Sequence, residues 1–140
     1  MSKKKINIAH VGNDLWFDWK SDIVFGLLHA FADHQIDVTV SHNTFDNTRL
    51  NLLIGADWLS WNQQAVAALQ SLEHGYSVFE VEEYCGGHLH RRDGWPADVY
   101  NEILRNSEFI ATPYVANYRE MKDKFQLPRG VQYTQWGFHE

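Results

Sequence analysis

The chain has 140 residues, 44% of them hydrophobic and 21% charged, and a formal net charge of -6. A domain of this length buries roughly two-thirds of the surface its unfolded chain exposes, and the composition excludes a disordered tail, a collagen-like repeat and a disulfide-stapled miniprotein. The single cysteine, Cys85, excludes an internal disulfide, and basic residues scattered through an acidic chain argue against nucleic-acid binding.

Ile6 to Val11 is short, β-branched and closed by Gly12-Asn13, which predicts a strand ending in a loop. Asn13 to Lys20 reads as an aromatic loop. Ser21 then caps a helix in which Ile23, Val24, Leu27, Leu28 and Phe31 recur at helical spacing. Ile36, Val38 and Val40 alternate as a second strand, Phe45 to Arg49 is a turn or short helix, and Asn51 to Gly55 is a third, buried strand. Trp61 to His74 reads as the next helix, with Gly75 as its stop, and Tyr76 to Val81 as a fourth strand. Glu82 to Gly94 has neither helical nor strand period. Pro96 opens a helix to about Asn106, Phe109 to Ala111 makes a fifth strand, Pro113 opens a helix to about Phe125, and Val131 to Thr134 makes a sixth strand. Strands alternating with helices predict an α/β fold: one Rossmann-like three-layer domain over residues 1–140, with a mostly parallel sheet covered on both faces.

In such sheets the ligand sits outside the carboxyl ends of the strands. Those ends carry His10, Gly12 and Asn13; Ser41, His42 and Asn43; Gly55 to Trp58; Glu80, Glu82 and Glu83; Thr112; and Gln135 with Trp136. Imidazoles, carboxylates and indoles on one rim suit a polar ligand with apolar faces, such as a sugar. His10 can act as a base or donor from its strand end, or be a histidine satisfied by its neighbours. Trp16 and Trp19 can stack on a flat ligand face or fold over the first helix as a lid, and Trp58 carries the same two readings. Glu82 and Glu83, beside Glu80, are candidate acid/base carboxylates, because two carboxylates in one cleft push one pKa upward. Cys85-x-x-His88-x-His90 offers zinc three ligands of suitable chemistry but lacks a local fourth. Its alternative is a glycine-rich loop whose Arg91 and Arg92 meet an anion or an acidic partner. The dinucleotide fingerprint needs three glycines where this first loop has one, and no G-x-S-x-G, H-E-x-x-H or P-loop pattern is present.

Asn106 to Pro113, followed by a helix ending near Met121 to Phe125 and then by Leu127-Pro128-Arg129-Gly130-Val131-Gln132-Tyr133-Thr134-Gln135-Trp136-Gly137-Phe138-His139, carries a resemblance. This stretch resembles the closing segment of the N-terminal domain of GT-B glycosyltransferases, and the order of elements from Ile6 onward is similar to that domain. The resemblance implies the acceptor-side half of a transferase. Its ligand would be a carbohydrate or other hydroxylated acceptor held by Gly12, Asn13, Trp16, Trp19, His42, Trp58, Arg91 and Arg92, with His10, Glu82 or Glu83 as base. It also implies that this domain alone binds no cofactor, and that a second domain or partner chain holds the sugar-nucleotide donor. His139 stands where the family's crossing motif has Asp. Two other readings stay open: a stand-alone α/β interaction module, with Asp57 near a receiver's phosphorylatable position, and a small metal enzyme built on Cys85, His88 and His90.

No apolar run approaches the ~20 residues of a membrane span, and Ser2 to Lys5 precedes too short an apolar stretch for a secretory leader. The expected location is cytoplasmic, in keeping with the single cysteine.

Overall fold

A computed structural model describes residues 4–12, 17–89 and 94–135, with only the backbone for 17–20 and 88–89. Alternation in the first strand, β1 (Lys5–His10), sends Ile8 into one apolar core and Ala9 into another, so the sheet is buried on both sides. After β1 come α1 (Phe17–Asp33), β2 (Asp37–His42), β3 (Leu50–Ile54), a 3-10 turn (Ala56–Trp61), α2 (Gln63–Gln70) and β4 (Tyr76–Phe79). A short hairpin of β5 (Tyr84–Cys85) and β6 (His88–Leu89) follows, then α3 (Ala97–Arg105), β7 (Ile110–Thr112), α4 (Val115–Lys124) and β8 (Val131–Tyr133). Six strands form one all-parallel sheet in the order β2-β1-β3-β4-β7-β8. This is the Rossmann-like α/β domain that the alternation of elements predicts. No helix among the described residues is long and apolar enough to cross a membrane.

Strand order decides which helices share a face. The chain steps one way from β1 to β2 and the other way from β3 through β8, and right-handed crossovers then place the intervening helices on opposite faces. The packing agrees. Ile23 and Val24 of α1 join Ile8, Leu52, Ile54 and Phe79 on one side. Leu69 of α2, Tyr100 and Ile103 of α3, and Met121 of α4 join Ala9, Leu53 and Val78 on the other.

The connection from β2 to β3 has no helix. It must return along β1 and cross it in residues 43–49, where a parallel crossover ordinarily takes a dozen or more. Seven residues reach about 25 Å at most, and the last of them turn at Asp46 to Arg49, within the Phe45 to Arg49 turn that the sequence predicts. Buried Asn51 fixes it. Its Nδ2 donates to the carbonyls of Asp46 (2.8 Å) and Arg49 (3.1 Å), while its Oδ1 accepts from Asp46 N (2.9 Å) and Asn7 Nδ2 (2.9 Å). Asn7 passes the network to Ser41 Oγ (2.8 Å) and accepts from Thr39 Oγ1 (3.1 Å), tying β2 to the same staple.

The largest differences from the sequence reading lie at three places. The first helix begins at Phe17, so Phe17 to Lys20 is helix rather than loop; no residue there interrupts a helix, and the periodic segment extends a turn beyond Ser21. The second helix is split. Ala56 to Trp61 is a 3-10 turn, and α2 restarts where Asn62 accepts a hydrogen bond from Ala65 N (3.0 Å) and ends before Ser71. The segment after Glu82, without period, contains the β5–β6 hairpin. Gly86 and Gly87 have φ of 61° and 84°, as a two-residue hairpin turn requires.

Two outcomes test this account. Asn51→Ala leaves Asn7 Nδ2 and two partly buried carbonyls short of partners and should cost about 3 kcal/mol in urea unfolding. Tyr76, whose hydroxyl donates to Ile103 O (2.7 Å), and Tyr84 both have pKa values raised well above the usual range. Burial is the main cause for each, with Glu102 adding to it at Tyr76 and Glu120 at Tyr84. Their contribution is whole below the unfolded value of about 10 and is lost as pH rises beyond it. Tyrosinate absorbance of these two residues should therefore rise together with loss of helical circular dichroism, and not before it.

Candidate functional site

The order β2-β1-β3 puts the topological switch point between β1 and β3, and the crevice of such a sheet opens at the carboxyl ends of those strands. Three predicted residues meet there. His10 and His42 are register partners at the ends of β1 and β2, and their rings stack with centroids 5.0 Å apart. His10 is fully buried and His42 is exposed, so His42 is the imidazole that the rim presents to solvent. Its Nε2 lies 3.2 Å from the carbonyl oxygen of Gly12 and donates there when it carries the proton.

Gly12 is clamped. Its N–H donates to Asn43 Oδ1 (2.9 Å) and its carbonyl accepts from Asn43 Nδ2 (2.9 Å), so one side chain extends the β1–β2 ladder by a further rung. Asn43 adopts a φ of 52°, a left-handed conformation that asparagine tolerates better than most residues. Gly12 itself has a φ of 139°, and a Cβ there would stand 3.4 Å from Cδ1 and Nε1 of Trp58. The glycine thus serves both the backbone angle and the close approach of the indole. Half-buried Trp58 leaves the 3-10 turn after β3 to form one wall of this corner.

Along the same edge, one residue beyond the register of His10, Ile54, Phe79 and Ala111, stand Val11, Gly55, Glu80 and Thr112. Glu80 is buried, and its Oε1 accepts the N–H of Glu82 (2.7 Å), so this carboxylate shapes the turn that follows β4. The strand ends at Phe79 rather than at Val81, so no strand alternation sets Glu80 and Glu82 on one side. Glu82 is half-buried and Glu83 exposed. Buried Asn117 of α4 holds their loop: its Nδ2 donates to Glu82 O (2.8 Å) and to Thr112 Oγ1 (3.2 Å), and its Oδ1 accepts from Tyr84 N (3.0 Å). Asn117 is a positioning residue that sequence reasoning missed, and Asn43, placed on the rim by the sequence, has the added role of clamping Gly12. An asparagine at a strand end, and another one turn into the helix after Thr112-Pro113, were the available signals.

Trp19 lies within the first turn of α1, and only its backbone is described. Asn13, Trp16, His90, Arg91 and Arg92 lie outside the described residues, as do Trp136 to His139. Cys85 is exposed and is the direct cross-strand partner of His88 in the hairpin. Among the described residues no three His, Cys, Asp or Glu side chains gather closely enough to hold a metal ion. Asp57, near a receiver's phosphorylatable position, is 1% exposed, which keeps its carboxylate from an incoming phosphoryl donor.

No protein-family model matches the chain, and no curated protein or solved structure matches it either. What the rim can do therefore rests on its own chemistry. His42 supplies an imidazole, Trp58 an aromatic wall, and the loop at Glu82 and Glu83 carboxylates that can accept hydrogen bonds from hydroxyls. Gly12→Val should destabilise the fold by about 2 kcal/mol, since a β-branched residue neither tolerates the backbone angle nor clears the indole. Asn43→Ala should cost about 1–2 kcal/mol through loss of both hydrogen bonds to Gly12. Urea unfolding of the two variants measures both.

Proposed function

We propose that this chain is a glycosyltransferase-like acceptor-binding domain working in the cytoplasm, with a second domain or partner chain completing the donor site. The ligand is a carbohydrate or another hydroxylated molecule at the β1/β3 switch point. The observation that carries this reading is the corner where exposed His42, the Trp58 indole and the clamped Gly12 backbone adjoin one another. An indole suits the apolar face of a sugar ring, and the imidazole and a nearby backbone suit its hydroxyls. Glu82 or Glu83 would take the proton of the acceptor hydroxyl. Fully buried His10 would act through the ring of His42 as a positioning residue. The Leu127-Pro128 turn leading into β8 agrees in order with the glycosyltransferase resemblance.

A second reading, a stand-alone α/β interaction module, is favoured by strand order. The first five parallel strands follow the 2-1-3-4-5 arrangement of flavodoxin-like domains.

Thermal unfolding with glucose, N-acetylglucosamine, malto- and chito-oligosaccharides, and uridine diphosphate sugars tests the first reading. A ligand that binds only the folded state raises the midpoint by mass action. At least one sugar should raise it, and Trp58→Ala and His42→Ala should each weaken the apparent affinity about tenfold. A midpoint unmoved by every sugar would overturn the reading in favour of the module.

A further inference from the structure

The end of the sheet opposite the rim carries a second, independent cleft. Because α1 is the only helix placed on its face by the crossovers, α2 to α4 leave that face bare beyond the end of α1. At the amino ends of β1, β3 and β7 this opens a cleft of about 670 Å³, within the range of small-molecule sites. Ile6, Leu52 and Phe109 form its floor, and Phe31, near the end of α1, forms one side.

Its rim has the charge opposite to the rest of the molecule. Lys4, Lys5 and Arg129 line the cleft, and none has an ion-pair partner among the described residues. Arg49 also lines it but is held by Asp37 (3.1 Å) and Asp46 (3.3 Å). Glu108 is the only carboxylate among the lining residues. In a chain with a net charge of -6, these three cations gather positive charge around an apolar floor, although the Asp46 carboxyl, held low first by Thr48, also feels Lys5. A neutral apolar ligand would leave these cations unused, and a small hydrophilic anion would leave the partly exposed Ile6 and Phe109 in water.

We propose that this cleft binds an amphipathic anion: a small molecule with an apolar body and a single carboxylate or sulfonate, its body on the sheet and its charge between Lys4, Lys5 and Arg129. The cleft's volume of about 670 Å³ suits a small molecule. No covalent step is involved.

The test uses the full 140-residue chain and two fluorescent probes. One is 1-anilinonaphthalene-8-sulfonate; the other is N-phenyl-1-naphthylamine, which has the same rings without the sulfonate. The sulfonate probe should bind saturably, about tenfold more tightly than its neutral analogue, and decanoate should displace it. The double variant Lys4→Glu/Arg129→Glu changes two exposed side chains, so its unfolding midpoint should hold while probe affinity falls about tenfold. Equal affinity for the two probes would overturn the proposal, as would an affinity indifferent to the double charge reversal. Displacement by an acidic amphipathic peptide but not by decanoate would also overturn it, marking the cleft as a protein-docking surface.

Discussion

Asn51 uses all its hydrogen-bonding positions, two donors and two acceptors, on partners inside the protein. Those four bonds hold a seven-residue connection in place as it crosses β1. A helix needs more chain than that to cross between parallel strands, and an unsupported loop would leave buried backbone groups without partners. The staple lets the chain pass from one side of β1 to the other. The reversal of strand order, and with it the crevice between β1 and β3, follows from that passage.

The same reversal has a cost at the other end. It commits one face of the sheet to a single helix, and the amino ends of β3 and β7 are left covered only in part. Open crevice and half-bare floor are thus two results of one connection, placed at opposite ends of the same strands. The two regions are held differently. Asparagine side chains, Asn43 and Asn117, lock the backbone around the crevice. The cleft is bounded by apolar packing and by long, exposed cationic side chains.

Much of the architecture was legible in the sequence because its signals are local and periodic. The alternation of β-branched runs with amphipathic segments gave the parallel sheet, and the residues at strand ends gave the edge where His10, His42, Gly12 and Trp58 stand. Other features depend on partners distant in sequence. Asn51 reads as one polar residue in an apolar strand until Asn7 and Asp46 stand beside it. Burial of His10 and Asp57 is likewise a property of their neighbours in space. The hairpin was a local signal passed over: Gly86-Gly87 marks a two-residue turn, but strands of two residues are too short to show a period. In α1 the missed turn reflects propagation, which has no marker where no residue stops it.

Parallel strands linked by helices force every helix to run against the strands, so four peptide dipoles add, with their positive ends at the carboxyl edge of the sheet. Side chains oppose this backbone polarity. Asp57, Glu80, Glu82 and Glu83 gather where the helices begin, while Arg105, Lys122 and Lys124 occupy last turns. Lys4, Lys5 and Arg129 stand at the same end. Whole side-chain charges outweigh roughly half a charge per helix terminus. The amino edge mixes both signs, since α1 and α2 have no basic residue in their last turns and Asp33, Asp37 and Glu108 stand among the cations there. The carboxyl edge is thus where side-chain charge overrides the polarity of the backbone, and a solute arriving there meets carboxylates before the helix termini behind them.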